Sequence, residues 1–333
     1  MPGLGHKSYL QMGVETTYGT AVAAAAKIEI ISANADPNVG TIPDPSLFSA
    51  RSRRALYQGG LFYEGAIKVR GNYGGGATGG LGRLIKAALG AVATTGAGPF
   101  THTYKEETGA AQPPSLTLEL GEGDIPTTKV KRVIGTTITG MTVAGTAGQG
   151  EDAMLQFTFP FVAKTITTNF TPTAALAFPT ISPMLFHQSG AVTDDGSGDT
   201  QANQRVRSFE LTLVNNYALD RFYFGSLTPD QPLRNDFLSA RWRFTSEFAD
   251  ILAVARAGAF TTTTPKVKVV SGADSFELRS NSAKIVEYGN PVEGYGIILM
   301  NMVHEAFYDP TDLSALVGIL INGNTGTQEN GNP

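Results

Sequence analysis

The segment SFELTLVNN (208–216) alternates along its length, with Phe209, Leu211 and Leu213 on one face and Glu210 and Thr212 on the other. A period of two predicts a half-buried antiparallel strand. ARWRFTSEF (240–248) repeats the pattern, with Trp242 and Phe244 inward and Arg241, Arg243 and Thr245 outward. ADILAVARAG (249–258) then changes to helical spacing. Phe248, Ile251, Leu252 and Ala255 share one face, and Gly258 offers a left-handed stop. KVKVVSG, SFELRS and AKIVEYG read as further strands. GIILMNMVHEAF is apolar on both faces from Ile298 to Val303, which predicts a strand covered on both sides. ALVGILIN adds a last strand near the C-terminus.

The first half has the same order. AKIEIISA reads as a strand, and LFYEGAIKVRGNY as a second with Ile67 and Val69 inward. GLGRLIKAALG predicts a short helix whose Leu81, Leu84, Ile85, Ala88 and Leu89 form one face, ended by Gly90. FTHTYKEE, PSLTLELGEG, KVKRVIGTTITGMTVAG and EDAMLQFTFPFVAK follow as strands. In the last, Leu155, Phe157, Phe159 and Phe161 alternate. Each half thus runs strand, long polar loop, strand, short helix, then several strands. This order suggests a duplication, with a first domain over 1–165, a linker over 166–180, a second domain over 181–322 and a polar tail over 323–333. The tail, INGNTGTQENGNP with its preceding strand end, is expected to be mobile.

Composition narrows the function. The 333 residues carry 25 Lys and Arg against 29 Asp and Glu, a net charge of −4, so a strongly basic nucleic-acid footprint is excluded. There is no cysteine, hence no disulfide and no thiolate metal site. The N-terminal MPGLGHKSYLQMG has no apolar core, so no secretory signal is expected. No apolar run approaches the roughly 20 residues of a spanning helix, so no membrane partner is expected. Low charge and 39 glycines fit short strands, many turns and a surface that meets other protein.

Candidate chemistry is sparse. Gly74, Gly76 and Gly79 satisfy G-x-G-x-x-G ahead of a helix. The strands after Gly90 alternate and are joined by turns, so the parallel βαβ frame of a dinucleotide site is lacking, and no Gly-Lys-Ser/Thr follows. His6, His102, His187 and His304 are scattered, and His102 and His304 lie within strands as ordinary bonded side chains. Asp194, Asp195 and Asp199 share a turn without the spacing of a calcium loop. No nucleophile elbow is present. The expectation is a protein that is not an enzyme and has no cofactor and no resident metal.

The two long loops carry the strongest functional signal, because a long loop inside a compact domain is functional or disordered. The first, residues 34–60, holds Asp36, Asp44, Arg51, Arg53, Arg54 and Tyr57, with Phe48. The second, residues 217–238, holds Asp220, Arg221, Asp230, Arg234 and Asp236, with Phe222, Tyr223 and Phe237. Mixed charge with aromatics fits contact with protein better than with phosphate.

Three stretches carry a resemblance to a known family: GVETTYGTA near the N-terminus, GLGRLIKAALG after a strand, and SFELTLVNNYALDRFYFGSLTPDQPLRNDFLSARWRFTSEF. Over roughly residues 8–310 their order resembles the major tail tube proteins of long-tailed, siphovirus-like bacteriophages. The NYGGGATGG stretch and the acidic turn at 193–199 are longer than the resemblance leads one to expect. The resemblance implies a mainly β fold: two tandem antiparallel β-sandwich or barrel tail-tube domains, each with one short flanking α-helix. It implies a structural virion protein whose copies join sheets edge to edge into rings, three two-domain chains per ring in preference to six. Rings would stack, with the first long loop reaching the neighbouring ring, into the conduit for DNA ejection. Double-stranded DNA would pass a net-acidic lumen without tight binding. Implied partners are further copies of the chain and the tail tip, tape-measure and tail terminator proteins. The implied location is the virion tail, after assembly in the host cytoplasm. Asp36, Asp44, Arg51, Arg53, Arg54, Tyr57, Arg221, Asp230, Arg234 and Asp236 are the expected inter-subunit or inter-ring contacts. Rival readings are a capsid or decoration protein, a type VI secretion-like tube protein, and a carbohydrate-binding β protein.

Overall fold

The structure, a computed structural model, describes residues 8–44, 52, 55–74, 79–107, 112–121, 130–148, 150–173, 175–187, 190–193, 206–219, 221–247, 262–289 and 299–330. The first half contains β1 (Tyr9–Val14), β2 (Ala26–Ile28), β3 (Ser32–Pro43), β4 (Leu56–Arg70), helix α1 (Leu81–Leu89), β5 (Gly90–Thr95), β6 (Phe100–Glu106), β7 (Leu116–Gly121), β8 (Val130–Ile138), β9 (Gly140–Thr146), β10 (Gln156–Ala163) and β11 (Thr165–Phe170). The second contains β12 (Gly190–Thr193), β13 (Val206–Val214), β14 (Tyr217–Ala218), β15 (Leu233–Arg234), β16 (Ser239–Glu247), β17 (Thr262–Thr263), β18 (Lys266–Ser271), β19 (Asp274–Arg279), β20 (Ala283–Gly289), β21 (Leu299–Ala306), β22 (Val317–Asn322) and helix α2 (Gly326–Asn330). The fold is mainly β, and the pairings between these strands are antiparallel.

One long sheet runs β3-β4-β10-β9-β13-β16-β21-β20-β17. It forks beyond Thr139, where β8 leaves with β11, β7, β1 and β2. A strand order recurs along its length: β3-β4-β10-β9 is followed by β13-β16-β21-β20, in each case a pair of successive long strands, then the next-to-last strand of that half, then the one before it. A second sheet runs β12-β18-β19-β22-β6-β5. It packs face to face on the long sheet, where Phe276 of β19 meets Phe157 of β10 edge-on at 5.4 Å. The Trp242 indole N–H donates to Ser280 Oγ across the same gap at 3.0 Å.

The core follows the alternation. Phe209, Leu211, Leu213, Trp242, Phe244, Leu155, Phe157, Phe159 and Phe161 are all buried. Burying an aromatic or branched apolar side chain contributes about 1.5–3 kcal/mol, so this doubled row drives sheet stacking. Both sheets cross from one half to the other. In the long sheet β9 pairs with β13 from Gly140↔Val214 to Thr146↔Ser208. In the second sheet β6 pairs with β22 from Phe100↔Asn322 to Lys105↔Val317.

Several expectations are revised. The first long loop is largely a hairpin, because β3 and β4 pair from Ser32↔Lys68 to Pro43↔Leu56. The AKIEIISA strand is shorter than expected and ends at Ile28. β21 is not covered on both sides, since Asn301 and Glu305 are exposed. The linker is not free: its first residues form β11 on β8, and the Thr173 hydroxyl donates to Glu119 at 2.8 Å. The polar tail is not mobile through residue 330, because Glu329 and Asn330 are buried against the first half. The expected second helix, 249–258, lies outside the described residues.

Candidate assembly surfaces

Two hairpin arms and the ends of the two sheets are the surfaces on which chains could meet. The first arm, β3–β4, is exposed along most of its outer length, including Val39, Ile42, Leu56 and Tyr57. Its ladder is closed by the Asp44 amide donating to the Ala55 carbonyl at 3.0 Å. Asp36 accepts from Asn34 Nδ2 at 2.7 Å and is exposed, as is Tyr57. Arg51, Arg53 and Arg54 lie outside the described residues.

The second arm is β13–β16 prolonged by β14–β15, where Tyr217 pairs with Arg234. From Leu211 to its partner Trp242 the chain is nearly as long as from Ala33 to Ile67, yet this arm does not project. It bends at Asn215 and Asn216. Asn216 has a φ of 49°, a left-handed conformation that asparagine tolerates better than most residues. Asn215 is buried and its Nδ2 donates to the carbonyls of Ala88 (2.8 Å) and Ile138 (3.2 Å). The bend turns the following segment back so that Phe222 and Leu227 touch the first half. The Leu61 amide donates to the Leu227 carbonyl at 2.7 Å. The Phe222 ring packs so closely on Gly60 that a Cβ there would lie 2.6 Å from it. Pro229 and Pro232 are buried.

The charged residues of this second arm act mainly inside the chain. Arg234 donates to the carbonyls of Glu107 (2.6 Å) and Leu89 (3.1 Å), so it holds the C-terminus of α1, where cations are favoured. Arg221 binds the Gln231 carbonyl and the Tyr223 hydroxyl and faces Asp230 at 3.7 Å. Asp236 accepts from the Phe237 amide in its own turn. Beside the exposed Asp230 and Asp236, the arm leaves two aromatic rings, Phe224 and Phe237, almost wholly in solvent.

Beside Phe237 lies an open cleft of about 620 Å³ bounded by Arg234, Leu238, Phe307, Tyr308 and Glu107. The edge positions of the long sheet are β3 at one end and β20, partly capped by the two-residue β17, at the other. The second sheet ends in β5 and β12.

A sequence model of phage tail tube proteins matches residues 5–298. The chain belongs to the phage tail tube protein family. No curated protein matches it. Family membership makes the chain a structural protein of the virion tail whose copies assemble into a tube.

Two stretches of the chain are each fastened by a buried carboxylate. In GVETTYGTA the Glu15 carboxylate is buried and accepts from Gly19 N, Ser115 Oγ, Thr117 Oγ1 and Gly135 N at 2.7–2.9 Å. One side chain so ties the turn after β1 to β7 and β8. Tyr18 beside it has its hydroxyl pKa pushed up, by burial first and then by the charges of Glu15 and Asp230. The second arm therefore comes within electrostatic reach of this turn as well.

The glycine-rich run before α1 receives the chain's own carboxylate. Glu329 of α2 accepts from Gly82 N at 2.9 Å, Asn324 Nδ2 at 2.6 Å and Asn322 Nδ2 at 3.1 Å. An anion at a helix N-terminus is the expected partner for free N–H groups. A Cβ on Gly82 would lie 2.3 Å from the Tyr104 hydroxyl and 2.7 Å from Glu329 Cγ, so glycine is required for the approach. Tyr104 donates to Asn330 Oδ1, and its pKa is pushed well up by burial and then by Glu329. The Arg83 pKa is lowered by burial, an effect Glu329 opposes.

With the tail on its other side, α1 buries eight of nine residues rather than a single face. His102 is buried among Thr94, Asn322, Asn324 and Asn330, and His304 Nδ1 lies 2.9 Å from Thr263 Oγ1. Among the described residues no three His, Asp or Glu side chains gather as a metal site. No described helix is long and apolar enough to cross a membrane. The acidic turn with Asp194, Asp195 and Asp199 lies outside the described residues.

Proposed function

We propose that three chains close head to tail into a pseudo-sixfold ring, and that rings stack into the conduit for phage DNA. The carrying observation is the junction of β9 with β13. It joins two sets of strands with the same order, and beyond it the long sheet reaches β3 on one side and, on the other, β20 with only the two-residue β17 on its outer edge. A second junction of the same kind, β20 of one chain on β3 of the next, closes the sheet. Exposed edges are a liability that closure removes. A heterologous contact whose rotation closes gives a ring, while the stacking direction stays open.

On this reading the two halves are copies of one tail-tube domain. The role is mechanical rather than catalytic. A net charge of −4 disfavours phosphate, so DNA slides without being held. Tail tip, tape-measure and terminator proteins bound the tube, and assembly takes place in the host cytoplasm. Asp36, Asp44, Tyr57, Arg51, Arg53 and Arg54 on the first arm then meet neighbouring copies, whereas Arg221, Arg234 and Asp236 serve mainly to shape the second arm.

Negative-stain electron microscopy with mass measurement tests this reading. Rings or tubes with a three-chain repeat are expected. A six-chain ring overturns the pseudo-sixfold architecture. Failure to extend a tail-tip seed overturns the tube reading itself. Reversing Arg53 and Arg54 to Glu should block tube growth and leave the monomer folded.

A further inference from the structure

We infer that the chain cuts itself after Asn330, by closure of the Asn330 side-chain amide onto its own backbone carbonyl. This does not depend on the ring reading above. In the sequence Asn330 is followed by Gly331, which has no side chain to crowd the bond between them. An asparagine holds its amide nitrogen within a five-membered ring's reach of its own carbonyl carbon. An ordinary amide is a poor nucleophile. The reaction therefore needs a base on Nδ2 and a donor on each oxygen that gathers charge.

The structure supplies all three around Asn330, which is fully buried, as is His102. His102 Nε2 faces two acceptors, Asn322 Oδ1 at 3.2 Å and the Asn324 carbonyl at 3.0 Å, so the ring carries its proton there. The Asn322 amide is itself oriented, because its Nδ2 donates to the Tyr73 carbonyl and its Oδ1 accepts from Asn324 N. His102 Nδ1 is thereby an acceptor, and Asn330 Nδ2 donates to it at 3.0 Å. Thr94 Oγ1 lies 3.0 Å from His102 Nδ1 and 3.2 Å from Asn330 Nδ2, a second path for the same proton. The Tyr104 hydroxyl donates to Asn330 Oδ1 at 2.6 Å and stabilises the charge that collects there as Nδ2 loses its proton. Lys86 Nζ stands 3.5 Å from the Asn330 backbone carbonyl oxygen, where the tetrahedral intermediate places its negative charge. Glu329, one residue earlier, is fastened to Gly82 N and keeps the tail in this cage.

In the step, Nδ2 passes one proton to His102 and adds to the Asn330 carbonyl carbon. The bond from that carbon to Gly331 N then breaks, and His102 returns the proton to the departing amine. No water or other reactant is consumed. The products are a chain that ends in an aminosuccinimide at residue 330, with Glu329 still in place, and a free peptide of Gly331, Asn332 and Pro333.

Intact-mass spectrometry of the full-length protein during incubation tests the cut. The expected result is a species lighter by Gly331–Pro333, whose last peptide ends at residue 330 in the succinimide or its hydrolysis product. A general base contributes about 10²–10⁴-fold, so His102→Gln should slow the cut by about 100-fold or more. Asn330→Asp, which has no amide nitrogen, should abolish it. Wild-type protein unfolded in urea covers a variant that fails to fold, and there the cut should slow as it does in His102→Gln. An equal rate in the unfolded chain means that the fold gives no help and overturns the inference, as does an undiminished rate in folded His102→Gln. A full-length chain deamidated at Asn330 makes Gly331 N the nucleophile and also overturns it. So does a tail that stays unmodified through prolonged incubation of the folded protein.

Discussion

The two arms have nearly the same length and the same place in the strand order, but opposite fates. The second bends at Asn215 and lies on the first half with its prolines buried, while the first is exposed along most of its length and is met by the second arm at Gly60 and Leu61. The difference lies less in the arms than in what each finds beside it. β13 has β9 as a neighbour, and beyond β9 a helix end and a strand that offer carbonyls and an amide. Among the described residues β3 pairs on one side only, with β4. Conformation in such a hairpin is set by tertiary partners rather than by local propensity.

The comparison can be broken most severely at the junction. Leu211→Ala removes a fully buried side chain from β13 opposite Val143 and should cost about 2–5 kcal/mol. Chemical denaturation should show this as a lower midpoint, and both halves should loosen in hydrogen exchange.

Arg234→Ala comes next. It removes hydrogen bonds to the Leu89 carbonyl at the end of α1 and to the Glu107 carbonyl just past β6, and hydrogen bonds from charged donors are worth about 1.5–3 kcal/mol. The side chain is partly exposed, so the lower end of that range is expected, with faster proteolysis within 219–232.

Asn216→Ala removes the Nδ2 hydrogen bond to the Phe237 carbonyl and also makes the left-handed bend less favourable, each costing about 1 kcal/mol. A thermal melt should register it, and Asn216→Gly should recover only the backbone share of the loss.

The smallest effect on the monomer falls on the other arm. Tyr57→Ala is a surface change expected to stay within about 0.5 kcal/mol. It should nevertheless slow tube growth, measured by light scattering on a seed. Equal stability loss in Tyr57→Ala and Arg234→Ala would mean that the first arm also docks within the isolated chain.

The strands with one buried face were legible. SFELTLV, ARWRFTSE and LQFTFPF show period two because one side meets the core, and α1 showed both its apolar row and its Gly90 stop, which has a φ of 112°. SANADPNVGTIP was not legible as β3, because almost none of it is buried and alternation is a record of burial. Pro37 and Pro43 fit it only as an edge strand, which composition cannot distinguish from a loop. Glu15 and Glu329 were missed for another reason. Each is a carboxylate whose donors come from distant positions, and no local pattern announces a buried acid. The tail suffers most from this, since GNTGTQEN has the composition of a solvated segment and its partners lie in the first half.

The carboxylate of Glu329 also imposes an order in time. Gly82 precedes it by 247 positions, so the ribosome delivers the acceptor long after the helix it serves. Until then α1 has unpaired N–H groups at its start, and β6 waits for β22. Contacts of such long sequence separation form late. A nascent chain therefore passes through a period with two incomplete sheets, and a chain released early lacks the piece that covers its first helix.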